Sequence, residues 1–124
     1  MLGVMILLNN WFHDLSVALL TCALLGAAAI WRGALETGPG AAAIAGRLDR
    51  LARRIGAWSL AGVVVFGAVR TWAFMEYEWI PAAGKGLLPA LAVKHVVLVS
   101  LLGGATVAAL RARRRGRAAT GASG

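Results

Sequence analysis

The sequence predicts an all-α integral membrane protein, a three-helix bundle whose second helix has an extended amphipathic cytoplasmic end. Three observations carry that expectation. Of 124 residues, 60% are hydrophobic and only 15% charged, a composition unlike that of a soluble domain. The charges are segregated into short stretches between long apolar runs. Three of those runs reach the roughly 20 residues that a helix needs to cross a hydrocarbon core of about 30 Å.

The first span is expected from about Leu2 or Trp11 to Trp31, the second from about Ile55 to Phe74 and the third from about Leu87 to Leu110. Only helices and closed barrels satisfy their backbone in lipid, and runs this long exclude a barrel. Met1 to Leu8 lacks the basic start of a secretory signal and no small-residue cleavage site precedes the first run, so the N-terminus is expected to belong to the mature protein. Neither end carries a lipidation motif.

Between the first two spans, Thr37-Gly38-Pro39-Gly40 is a turn signal, and Thr37 or Gly40 is the expected start of the next helix. From Ala41 to Arg54 the pattern is amphipathic, with Arg47, Arg50 and Arg54 on one face and Leu48, Leu51 and Ile55 on the other. Such a helix fits an interfacial end with snorkelling arginines and can run unbroken into the second span. The connection from Met75 to Gly86 is close to neutral. Residues 1–110 thus form the membrane domain, and the basic segment 111–124, with its small-residue end, is expected to be a disordered cytoplasmic tail.

The charge asymmetry sets topology. The first loop and the tail face the cytoplasm, and the N-terminus and second loop lie outside, in a bacterial-type inner membrane. Tryptophans, which favour the interface, agree: Trp31 and Trp58 lie beside the cytoplasmic arginines, and Trp11, Trp72 and Trp79 toward the outer side. The net charge of +8 sits at the ends of apolar runs, which is membrane logic and excludes nucleic acid as a partner. Cys22 is the single cysteine, so an intrachain disulfide or a CxxC pair is impossible, and it is expected to be a small buried packing residue. No internal repeat points to an inverted-repeat transporter.

The chain's two histidines, His13 and His95, fall within the first and third spans. Counted from the cytoplasmic ends they stand at similar depth, roughly 23 to 26 Å up in helical rise. Histidine is rare in lipid-embedded helices because its ring must find polar partners there. Two neutral imidazoles on different helices can hold one haem b iron from opposite faces in an apolar bundle. Asn9, Ser16 and Val17 share a face with His13, which offers a polar neighbour to orient its ring. Near His95 stand Leu91, Ala92, Leu98 and Val99, with Gly103 and Thr106 further along; Gly62 and Gly67 give the second span further openings for a flat macrocycle or another helix.

Arg70 is placed to pair with a haem propionate or to snorkel outward. Asp14 is placed to pair with Arg70 or to face water. Lys94 is an intramembrane charge costing about 2.5 to 3.5 kcal/mol on insertion scales, with three readings: snorkelling, propionate compensation or proton handling. Two alternatives to haem stand beside it: histidines that only hydrogen-bond neighbouring helices, and copper held with Met5, Met75 or Cys22. Cys22 lies more than two turns below His13, and the methionines form no MxxM cluster.

The stretches Trp11-Phe12-His13-Asp14-Leu15, Trp31-Arg32 and Ala92-Val93-Lys94-His95-Val96-Val97 resemble the superfamily of small helical membrane proteins that includes the HemJ-type protoporphyrinogen oxidases and the CopD-type copper-resistance domain. The resemblance covers the first and third spans. It implies that His13 and Lys94 stand at positions associated with haem binding and activity. This chain departs from the family pattern in having three spans rather than four, and in having His95 beside the lysine. A second axial ligand closes the iron to substrate and favours electron transfer.

The expected function is therefore a haem b electron-transfer or membrane-anchor subunit of a respiratory or redox complex, with His13 and His95 as axial ligands and Arg70 or Lys94 balancing the propionates. A single haem near one face requires a redox partner, periplasmic or membrane-bound, with quinone as a further electron carrier. The many small residues favour homo- or hetero-oligomerisation. The alternatives are a HemJ-like oxidase of a porphyrinogen and a haem-free structural subunit.

Overall fold

Three helices, each long and apolar enough to cross a membrane, make up nearly all of the computed structural model. It describes residues 1–78, 84–86 and 88–121; Trp79 and Pro81 of the second connection lie outside them. Helix α1 spans Leu2–Thr37, α2 spans Pro39–Ala73 and continues into a π-helical turn at Phe74–Glu78, and α3 spans Leu88–Gly121. The 36 residues of α1 give it a length of about 54 Å, well beyond a hydrocarbon core. All three helices therefore extend past their expected spans.

The reversal between α1 and α2 takes one residue. Gly38 has φ +106°, a left-handed conformation that a side chain disfavours, and its N–H donates to the Ala34 carbonyl at 3.2 Å. Pro39 opens α2 at a position where no backbone N–H is needed. The helix thus begins at Pro39 rather than at Thr37 or Gly40.

Helix α1 packs along α2 and, less extensively, along α3, whereas α2 and α3 barely meet. The seam between α1 and α2 is built from small and polar residues. Asn9 donates to the Phe66 carbonyl at 3.0 Å, Phe12 stacks on Phe66, Ser16 abuts Gly62, and Leu20 and Ala23 lie over Gly56. Buried Ala45, Asp49 and Ser59 extend the seam on α2. With Gly56, Gly62 and Phe66 they follow one another at steps of three, four or seven residues, which makes one stripe along the helix.

That stripe adds a third face to the amphipathic pattern of Ala41 to Arg54. Both proposed faces are outward: Leu48, Leu51 and Ile55 are exposed along with Arg47, Arg50 and Arg54. The inward face is a third one, because alanine and glycine let helices approach closely while leucines fit better against an outer apolar medium.

On α3 the buried residues are Ala105, Ala109, Ala112 and Gly116. This small-residue stripe runs into the basic segment, so the chain from Arg111 to Gly121 is helical rather than a disordered tail. The Trp31 indole lies against Gly116, where any Cβ would collide with the ring. Trp31 is consequently buried between helices, not displayed as an interface marker, while Trp11, Trp58 and Trp72 are exposed. Cys22 is exposed as well, contrary to the expected packing role.

Candidate functional site

A cleft of about 780 Å³ opens where α2 and α3 diverge over α1, and it is lined by His13, Asp14, Arg70, Lys94 and His95. All four residues singled out for cofactor binding meet there. The size falls within the range of about 300 to 1,000 Å³ for small-molecule sites. Its remaining walls are largely apolar, including Ile6, Val63, Val64, Leu91 and Leu98.

His95 is oriented by its own helix. Its Nδ1 lies 2.7 Å from the Leu91 carbonyl, one turn back. A carbonyl can only accept, so Nδ1 donates, and a neutral ring then carries its lone pair on Nε2. His95 is exposed to the cleft side of α3. The expected neighbours divide along the helix: Leu91, Ala92 and Leu98 line this cleft, whereas Val99, Gly103 and Thr106 line a second one below it.

His13 is held differently. Its side chain is 17% exposed, and its ring lies against α2, with Nε2 3.1 Å from where a Cβ on Gly67 would stand. Glycine at 67 is what admits the imidazole. The openings expected at Gly62 and Gly67 are thus filled by Ser16 and His13 of α1. Asn9 and Ser16, expected as polar neighbours, turn instead to the Phe66 and Phe12 carbonyls.

Two buried polar atoms in this cleft have no hydrogen-bond partner among the described residues, Nδ1 of His13 and Oδ1 of Asn10. Asp14 Oδ1 is 3.7 Å from the His13 nitrogen, too far for a hydrogen bond. Buried polar groups in folded proteins are almost always satisfied; besides these two, the Trp31 indole Nε1, outside the cleft, is buried without a partner among the described residues. Asn10 had no role in the sequence reading. Its only sequence signal is an amide inside an apolar run beside Asn9.

The cations divide. Arg70 donates from Nη1 to Asp14 Oδ1 at 2.9 Å, so it is partly committed. Lys94 lines the cleft and has no ion-pair or hydrogen-bond partner among the described residues. Among those residues, no three His, Cys, Asp or Glu side chains gather to hold a metal ion.

At the opposite end, sequence reasoning missed a buried ion-pair cluster. Asp49 is 2% exposed; one carboxylate oxygen accepts from Arg53, and the other accepts from Arg113 Nε at 2.7 Å. It ties α2 to α3, and only the fold brings residues 49 and 113 together.

Comparison with protein-family models, with curated proteins and with solved structures found no match to this chain.

Proposed function

We propose that the chain crosses the membrane three times as a helical bundle, binds haem b in the cleft between His13 and His95, and serves as an electron-transfer or membrane-anchor subunit of a redox complex. The observation that carries this reading is the convergence of two imidazoles on one cleft that also holds two orphaned buried polar atoms. His95 suits an axial ligand because its Nδ1 bond to Leu91 leaves Nε2 as the basic nitrogen. His13 brings an imidazole with one buried nitrogen unsatisfied.

Two histidines suffice for haem, since the porphyrin itself supplies the other donors. Lys94 is the cation best placed for a propionate, and Arg70 contributes the donors that Asp14 does not use. Bound haem would supply a one-electron couple. The chain's own residues orient the ring plane, exclude water and balance charge.

Membrane insertion is supported by the inverted burial pattern: alanines fill the interior, while most large aliphatic residues of all three helices face outward. By the positive-inside rule the arginine-rich end is cytoplasmic and the His cleft faces the outer side of an inner membrane. A redox partner then docks at that outer side, with quinone or a further subunit completing the electron path.

The second reading is a porphyrinogen oxidase similar to the HemJ type. Its support is Lys94 in the same cleft, a base or cation beside any bound macrocycle. Reduced-minus-oxidised spectra of the purified protein separate the two. Low-spin bis-histidine bands support electron transfer, and an open iron supports the oxidase; a haem-free preparation with unaltered assembly in His→Ala variants leaves a structural subunit.

A further inference from the structure

We propose that a second cleft, at the arginine-rich end, binds the phosphate headgroup and one acyl chain of an anionic phospholipid. This cleft, about 530 Å³, lies below the His cleft where α2 and α3 again fail to meet. Its walls are apolar, with Leu24, Leu60, Val99 and Leu102 around Gly56 and Gly103, and its one charged end is formed by Arg53 and Arg113. From Arg113 to Val99 is about 21 Å along α3, enough for the roughly 15 Å depth of a single leaflet's hydrocarbon.

Charge selects the occupant. Arg53 spends Nη1 and Arg113 spends Nε on Asp49, and each guanidinium keeps further donors. Asp49 cancels one of the two positive charges, so the cleft mouth retains a net cation. Every arginine except Arg70 lies at this end of the molecule, against only Glu36 and Asp49. A neutral quinone head has no use for that charge, and a zwitterionic headgroup sets its own cation against it. A phosphate monoanion on an acyl-bearing lipid matches both the charged end and the apolar walls.

The site rests on the membrane-spanning part of the reading above and not on haem. The test is native mass spectrometry of the full chain released from detergent micelles, titrated with phosphatidylglycerol, phosphatidylcholine or ubiquinone, with inorganic phosphate as competitor. One phosphatidylglycerol should be retained per chain, phosphatidylcholine should not, and phosphate should not displace the lipid. Arg53→Gln, which leaves Asp49 paired with Arg113, should weaken retention about fivefold. Gly103→Leu should abolish it by filling the cleft: a Cβ there meets nothing within 4 Å, so helical circular dichroism should be unchanged.

Equal retention of phosphatidylcholine, preference for ubiquinone, displacement by phosphate, or full retention in Arg53→Gln overturns the proposal. Should Gly103→Leu not fold, Arg53→Gln still decides. Failure of the membrane reading shows separately, as protein that carbonate releases from membranes and that stays soluble without detergent.

Discussion

Asp49 and Arg113 are joined by a 2.7 Å hydrogen bond from the guanidinium Nε to a carboxylate that is almost wholly buried. The bond bridges α2 and α3, the two helices with the least mutual packing. An aspartate at this depth is tolerated only because Arg53 satisfies its other oxygen. Asp49→Ala leaves the largely buried Arg113 without its partner, while the exposed Arg53 can turn to water, and should cost about 3 kcal/mol in reversible unfolding in mixed micelles. The double variant Asp49→Leu with Arg113→Met should recover part of that loss, because a packed apolar pair needs no compensating charge.

The Asp14–Arg70 pair should behave otherwise. Asp14 is 65% exposed, and ion pairs in such surroundings contribute about 0.2 to 1 kcal/mol. Asp14→Asn should therefore lower stability by no more than about 1 kcal/mol while leaving haem occupancy unchanged, both read on the same purified sample.

Between the two cleft cations, Arg70 pairs with Asp14, whereas Lys94 has no ion-pair partner among the described residues. Lys94→Gln should weaken haem retention during dilution in detergent more than Arg70→Gln does. Equal effects would mean that Arg70 leaves Asp14 for the propionates.

Gly67 is the residue that admits the His13 ring. Gly67→Ala places a methyl 3.1 Å from Nε2 and 3.3 Å from Cδ2, which should cost about 1 kcal/mol and perturb the low-spin spectrum. Gly103→Ala, with open space at its Cβ, is the matched control and should change neither.

The elements were legible in the sequence because apolar length and charge segregation are local properties. Helix count follows from them, and the turn at Gly38 from the Gly-Pro-Gly signal. The helical state of Arg111 to Gly121 was hidden, since a run of arginines reads as solvated unless the Ala105, Ala109, Ala112 and Gly116 stripe beneath it is noticed. Depth counting brought His13 and His95 together, but not their ring environments. That His13 leans on Gly67, that Asn10 joins the cleft and that Asp49 reaches Arg113 are facts of helix rotation, which similar residues on several faces leave undetermined. The inward face of α2 was left unassigned for the same reason: it is the Ala45, Asp49 and Ser59 stripe, set between the arginine and leucine faces that the pattern displays.

The most direct test of the central claim is a pyridine haemochrome assay with reduced-minus-oxidised spectra on protein purified with haem supplied during expression, beside His13→Ala and His95→Ala. One haem b per chain with low-spin bands, lost or converted to high spin in either variant, is the expected result. A haem-free wild-type protein, or haem retained with an unchanged spectrum in both variants, would contradict ligation by His13 and His95.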